Sequence, residues 1–261
     1  MKKLLPFLLL LSLLLCACSS AGGSIAPLPG TADPTAAPSQ EPAPQITSEP
    51  DPSPAATPEP VVIYDAYCKI GSYDDSLSNH WDYVLRIPAI QASGSDATRL
   101  NQELYTALYP SVKDALDAME GLYSLGVCNV DYTVYINGSL ISIVSEVDTD
   151  WGFESYYAVN FDAESKTEVD RAALLARFGL NEESFLDLAV QTVENYFKEH
   201  YDNANIPKDS FWQDRHDQSV AKKNFTEDCQ LFVSAEGKLC MIVKLYSFAG
   251  ADYYYNIFPL T

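Results

Sequence analysis

The sequence predicts an α+β fold, mainly antiparallel sheet, in which a meander and a closing three-stranded block are packed by two long helices. Three observations carry this. Between Val127 and Asp162 two alternating apolar runs meet at Asn137-Gly138, and a third follows the acidic turn Asp148-Thr149-Asp150-Trp151-Gly152. Leu100, Leu104, Leu108, Val112, Ala115 and Met119 recur at spacings of three and four, and Phe185, Ala189, Val193 and Phe197 at spacings of four, each set forming a stripe on one helix face. The carboxy-terminal stretch then reads as strands at Leu231 to Val233, Leu239 to Tyr246 and Tyr253 to Phe258.

Taken in order, residues 1–18 begin with Lys2-Lys3, run through an apolar stretch from Leu4 to Leu15 and end in Leu15-Cys16-Ala17-Cys18. A charged start and a short apolar run are the marks of an export signal, too short to span a membrane comfortably. The end resembles a bacterial lipobox, which makes Cys18 the lipidated first residue of the mature chain, with Cys16 the alternative. A diacylated cysteine supplies the two chains that stable anchoring needs. The expected location is the extracytoplasmic face of the bacterial cell membrane. Residues 19–60 hold 11 of the 16 prolines among Ala, Ser, Thr, Gln and acid. No core can form from that composition, so the segment reads as a disordered linker.

From Val61 to Thr261 the composition is that of a folded domain. Strands are expected at Val61 to Tyr64 and Tyr83 to Ile90, with a polar turn around Gly71 to Asn79 and Pro88 at an edge or strand end. Asp96 is the expected N-cap of the first long helix, and Pro110 predicts a kink or break in it. The Asn137-Gly138 dipeptide predicts a type I′ hairpin. Pairing outward from it sets Val134 against Ile141, Tyr132 against Ile143 and Val130 against Ser145 on one face, with Tyr135 and Leu140 on the other. A short helix from Asp170 to Phe178 is closed by Gly179, and Asn181 caps the second long helix, which ends near Tyr201. Pro207 and Trp212 fall in a polar loop, and Ala235-Glu236-Gly237 turns the last block.

The formal charge is −20, and from Val61 onward there are 31 acids against 14 bases. Such a surface repels nucleic acid and anionic headgroups and favours a cationic partner or plain solubility. No Gly-x-Ser-x-Gly elbow, Walker loop or dinucleotide fingerprint is present, and His80, His200 and His216 lack zinc-site spacing. No catalytic centre, cofactor or metal is therefore expected. Cys68, Cys128, Cys229 and Cys240 would remain after export, in a compartment where disulfides persist. They allow three pairings, and free thiols remain an alternative. A rung disulfide between Cys229 and Cys240 is disfavoured, because Phe232 faces Cys240 while Cys229 faces Val243.

The loop carrying Asp148, Asp150, Trp151, Phe153 and Glu154 gathers acid and aromatics into a candidate contact patch. It lacks the glycine and the distal bidentate glutamate of a calcium loop. Its bland alternative is a loop whose Trp and Phe fold back onto the sheet. Tyr253-Tyr254-Tyr255 alternates in a strand, with Tyr254 facing away from its neighbours.

The order of elements resembles the extracytoplasmic domain shared by RsiV-type anti-sigma factors and the amino-terminal part of PdaC-type peptidoglycan deacetylases. The residues that carry the resemblance are Ile87-Pro88-Ala89-Ile90 ahead of Asn101-Gln102-Glu103, Asn160-Phe161-Asp162, Val169-Asp170 leading to Leu174-Leu175, and Asn224-Phe225. Glu236-Gly237-Lys238-Leu239 and Ile257-Phe258-Pro259-Leu260 complete the set. The family's Gly-Gly-Ala-His-like stretch is replaced here by Asp150-Trp151-Gly152-Phe153-Glu154, so its histidine has no counterpart. A sigma-binding segment and a deacetylase domain are absent from this sequence. The resemblance implies a surface sensing or binding domain, with a basic lysozyme-like protein or cell-wall glycan (peptidoglycan) as ligand. Alternatives are a peptidoglycan-acting enzyme or accessory subunit using Asp148, Asp150 and Glu154 as paired carboxylates, and a structural envelope lipoprotein without a ligand.

Overall fold

The computed structural model describes residues 60–74, 79–120, 129–148, 154–201, 208–248 and 252–261, all within one compact unit, Ala56–Thr261. Cys18, Cys128, Asp150, Trp151 and Phe153 lie outside the described residues. Of Glu154, only the backbone is described.

The fold is α+β. A six-stranded sheet takes its strands in sequence order: β1 (Val62–Asp74), β2 (His80–Gln91), β3 (Asn129–Asn137), β4 (Leu140–Asp148), β5 (Glu154–Asp162) and β6 (Thr167–Glu168). All neighbours are antiparallel except β2 and β3, which are joined through α1 (Ser95–Met119) and pair in parallel at Val84–Leu85 with Asn129–Val130. A second sheet holds β7 (Gln230–Val233), β8 (Leu239–Tyr246) and β9 (Tyr253–Pro259), all antiparallel. Between the sheets in sequence come α2 (Arg171–Arg177), α3 (Glu182–Tyr201), α4 (Ser210–Val220) and α5 (Lys222–Thr226).

The apolar residues divide into layers. Leu104, Leu108, Val112 and Ala115 of α1 pack on Leu85, Ile87, Val130 and Val147, and Ala97 and Leu100 on Ile141, Ile143 and Phe161. The opposite face of the same sheet meets the second sheet through Val144, Phe232, Cys240 and Ile242. The far face of the second sheet, with Leu231, Val233, Met241, Val243 and Leu245, packs on Phe185, Ala189, Val193 and Phe197 of α3. The order is thus helix, six-stranded sheet, three-stranded sheet, helices. β4 is buried on both faces because it lies under both covers, which is why polar Ser142 and Ser145 are fully buried there.

The caps explain the helix limits. Asp170 accepts from Ala173 N at 2.8 Å to start α2, and Gly179, at φ +69°, closes it while Leu180 N returns to Leu175 O. Asn181 Oδ1 accepts from Ser184 N and Ser184 Oγ accepts from Asn181 N, both at 2.9 Å, a reciprocal cap for α3.

Several expectations are corrected. The hairpin turns on Gly138-Ser139: Asn137 pairs with Leu140, Val134 with Ile143, Tyr132 with Ser145 and Val130 with Val147. A slip of two residues keeps every side chain on its face, so the core assignment holds while the partners change. Tertiary contacts decide the turn. Ser139 Oγ donates to Asp162 Oδ2 at 2.9 Å and its carbonyl accepts from Ala163 N, while Asn137 Nδ2 donates to Ser234 O at 3.0 Å in the other sheet. Gly138 alone takes positive φ, +63°.

Asp96 does not cap α1. It lies inside the first turn, behind Gly94, and its carboxylate accepts from Glu168 N at 3.0 Å. α1 runs unbroken through Pro110, an exposed residue, so the carbonyl that Pro110 leaves without a donor faces water. Pro88 is no strand end; it sits inside β2 opposite the irregularity between Asp65 and Tyr67 of β1, where a missing N–H is tolerated. Trp212 belongs to α4, capped by Asp209, and is buried.

Candidate functional site

β2 and β3 begin as a parallel pair and share only two registered positions. Arg86 fills the space beyond them. Its Nε donates to Asp65 Oδ1, its Nη1 to Asp131 Oδ1 and its Nη2 to Tyr132 Oη, each at 3.1 Å. The guanidinium also lies 4.5 Å from the Tyr132 ring centre, and Tyr132 Oη donates to Asp65 Oδ1 at 2.8 Å. An arginine can serve three groups on two strands at once because its donors form a rigid planar fork.

Beside this wedge lies a hollow of about 320 Å³ lined by Val84, Asn129, Asp131, Glu146 and Asp148. Strand alternation puts Asn129, Asp131, Glu146 and Asp148 on the sheet face opposite α1. Asp131 and Glu146 are direct cross-strand partners, as are Asn129 and Asp148. Like charges directly opposite one another are destabilising. The pair persists because Arg86 neutralises Asp131 from one side, and the Tyr156 hydroxyl donates to Glu146 Oε1 at 3.0 Å from the other. The arrangement gathers acids on adjoining stretches of β3 and β4 and is suited to a cationic group.

Among the residues singled out in the sequence, Asp148 ends β4, half-buried, and the backbone of Glu154 pairs with it at the start of β5. Asp150, Trp151 and Phe153 lie outside the described residues. Asp131 and Glu146 were missed, because the sequence register set Asp131 opposite Val144. The signal that would have found them is the true register, with Gly138-Ser139 as the turn.

Next to Glu146 the site becomes aromatic. Tyr156 meets Tyr255 edge to face with centres 5.8 Å apart, and Tyr253 meets Tyr255 in the same way. Lys244 Nζ lies 4.5 Å from the Tyr253 centre and 3.2 Å from Asp228 Oδ2. Tyr254 points the other way, toward Tyr196 and Tyr201, and its burial raises its hydroxyl pKa far above the ordinary value.

Cys68 is exposed on β1, while Cys229 and Cys240 are buried, and all three are free thiols. The pairing of Phe232 with Cys240 keeps Cys229 and Cys240 apart. The disfavoured rung between Cys229 and Cys240 is not formed; Cys128 lies outside the described residues. Burial pushes the Cys229 thiol up to about 12, against the opposing pull of Arg171, and raises that of Cys240. Among the described residues no group of three or more His, Cys, Asp or Glu is placed to hold a metal ion. No described helix is long and apolar enough to cross a membrane.

Several residues of the segments 87–103, 160–175 and 224–225 hold the architecture together. Asn101 accepts from Ile90 N at 2.7 Å and donates to Ile90 O at 2.9 Å, fixing the end of β2 to α1. Asn160 accepts from Ser142 Oγ and donates to Leu231 O, Asp170 caps α2, and Asn224 donates to Ser219 O and Lys244 O. None of them lines the acidic hollow. Searches found no family model that matches the chain and no curated protein sequence similar to it.

Proposed function

We propose that this chain is a lipid-anchored cell-surface binding domain, held through Cys18 and the proline-rich linker, that takes a basic ligand at the cell envelope on the hollow formed by Asp131, Glu146 and Asp148. The carrying observation is the opposed pair of acids Asp131 and Glu146, which with Asp148 line an open hollow. A domain with no ligand to receive has little reason to keep like charges across a strand pair. The element order resembles that of RsiV-type extracytoplasmic domains, which supports a lysozyme-like basic protein as the ligand class, with peptidoglycan second.

The test is a titration of the full-length chain with a lysozyme-like basic protein and, separately, with soluble peptidoglycan fragments. The reading expects saturable binding of the basic protein that weakens with salt, because charges at an open rim are screened within about 8 Å at physiological ionic strength. The D131N/E146Q/D148N variant should lose it. Absence of saturable binding to either probe, or binding that the triple variant leaves intact, rejects the site.

A further inference from the structure

Among the described residues β1 is the edge strand of the large sheet, 13 residues long, with β2 its one strand neighbour. An edge of this kind presents a row of backbone donors and acceptors to any strand that can align with it. Proteins usually blunt such edges with proline, charge or a bulge. The one irregularity in β1 falls between Asp65 and Tyr67; from Tyr67 to Tyr73 the register with β2 is continuous, proline is absent and Lys69 is the only charge. Ile70, at the centre of this run, is 65% exposed, the most exposed large apolar residue on a sheet face away from a turn.

We propose that the Tyr67–Tyr73 edge pairs with the same edge of a second copy of this chain, antiparallel about a two-fold axis at Ile70, joining two six-stranded sheets into one. The argument is one of self-complementarity. A two-fold antiparallel pair needs opposed residues on the same face, so the axis must pass through a residue. Centred on Ile70, the pairing sets Ile70 against its own copy, Lys69 against Gly71, Cys68 against Ser72 and Tyr67 against Tyr73. No like charges are opposed, whereas an axis at Lys69 would oppose two lysines. The exposed Ile70 side chain is covered, and two aromatic pairs form on the face that carries α1. For a chain of net charge −20, this run with its single lysine is also a stretch where two copies approach without acid facing acid.

The linker of the same chain is excluded as the occupant by its composition. Pro50, Pro52, Pro54, Pro58 and Pro60 stand in it just before β1, and proline's fixed φ with the bias it puts on the preceding residue favours a polyproline II segment, which makes no inter-strand hydrogen bonds. A pairing of seven residues a side lies at or below about 1,200 Å², the low end of specific interfaces, so the dimer is weak and reversible.

The register makes the test specific. Cys68 and residue 72 are opposed only in the dimer, since within one strand they are roughly 13 Å apart, beyond the reach of a disulfide. Full-length S72C, oxidised mildly at high concentration, should give a covalent dimer on a non-reducing gel. C68S/S72C should not, and I70K/S72C should give roughly five- to tenfold less, from the opposed lysines and the lost apolar pair. Ile70 is exposed enough for I70K to fold, which an unchanged circular dichroism spectrum and melting temperature verify. Failure of S72C to cross-link, or a yield that I70K or C68S leaves unchanged, overturns the proposal, as does sedimentation showing only monomer at millimolar concentration.

Discussion

Replacing Asp162 by Asn should destabilise the domain and remove part of its acid sensitivity. Asp162 is 8% exposed and its carboxylate is the acceptor for three separate elements. Arg177 Nη2 of α2 donates at 2.7 Å, Ser139 Oγ of the hairpin turn at 2.9 Å, and the amides of Glu164 and Ser165 in the following turn at 3.0 Å each. The Arg177 bond, then the Ser165 amide and, further down, Ser139 and Glu164 hold this carboxyl well below its ordinary value of 3.8, against the opposing effect of burial.

Asn keeps one acceptor oxygen for the turn amides but presents an NH₂ to Arg177 and Ser139, so the Arg177 bond becomes a donor-to-donor contact, while the Ser139 hydroxyl can turn to accept and loses only the charge assistance. At about 1.5–3 kcal/mol for a bond to a charged group, less the fraction lost because Arg177 remains in water, D162N should cost about 2–4 kcal/mol near neutral pH. Because the folded value is depressed, the stabilisation is complete above the ordinary aspartate range and is lost as pH falls through that range toward the folded value. Urea unfolding followed by tyrosine fluorescence should show a lower midpoint with unchanged slope at pH 7. The gap between D162N and wild type should close as the pH is lowered from about 5 to about 2. A cost below about 0.5 kcal/mol at pH 7, or a gap that does not vary with pH, would refute the reasoning.

Other outcomes follow from the same geometry. R86K should be destabilised by about 1–3 kcal/mol, since an ammonium cannot serve Asp65, Asp131 and Tyr132 together; a lowered melting temperature in a thermal scan decides it. Ser145 is fully buried and its Oγ has no hydrogen-bond partner, so S145A should be neutral or stabilising by up to about 1 kcal/mol, and a clear loss in calorimetry would count against the packing described. In a thiol-labelling time course at pH 8 followed by mass spectrometry, Cys68 should react promptly. Cys229, buried and with its thiol pushed up to about 12, should react only on unfolding.

The sequence disclosed those parts of the fold in which local chemistry and tertiary contacts agree. The stripe from Leu100 to Ala115, the stripe from Phe185 to Phe197, the caps at Asp170 and Asn181 and the pairing of Phe232 with Cys240 are all of this kind. It misled where a distant partner outbid the local preference. Asn137 is a good turn residue, yet its amide is claimed by Ser234, 97 residues away. Asp96 is a good cap, yet its carboxylate is claimed by Glu168 N, 72 residues on. Trp212 was obscured by the polar sequence around it, although Asp209 was the available cap signal. For the candidate site, Asp148 was legible as part of an acidic turn. Asp131 was not, because its neighbour Glu146 could be identified only once the turn was moved by one residue.

The two sheets meet through more than apolar contact. Ser142 Oγ donates to Asn160 Oδ1 at 2.7 Å and accepts from Val233 N at 3.1 Å, Asn160 Nδ2 donates to Leu231 O at 2.9 Å, and the Gln230 amide bonds the backbone of Tyr156 and Ala158. An interface of aliphatic side chains alone would tolerate gliding of one layer over the other at small cost. Here each step of glide would strand a buried donor or acceptor, so these three side chains act as dowels that admit a single alignment. Replacing Ser142 and Asn160 by apolar residues of similar size would therefore leave much of the folding free energy in place while blurring the alignment, broadening NMR resonances along β5 and β7. Any ligand that presses on β4 would push on both sheets together.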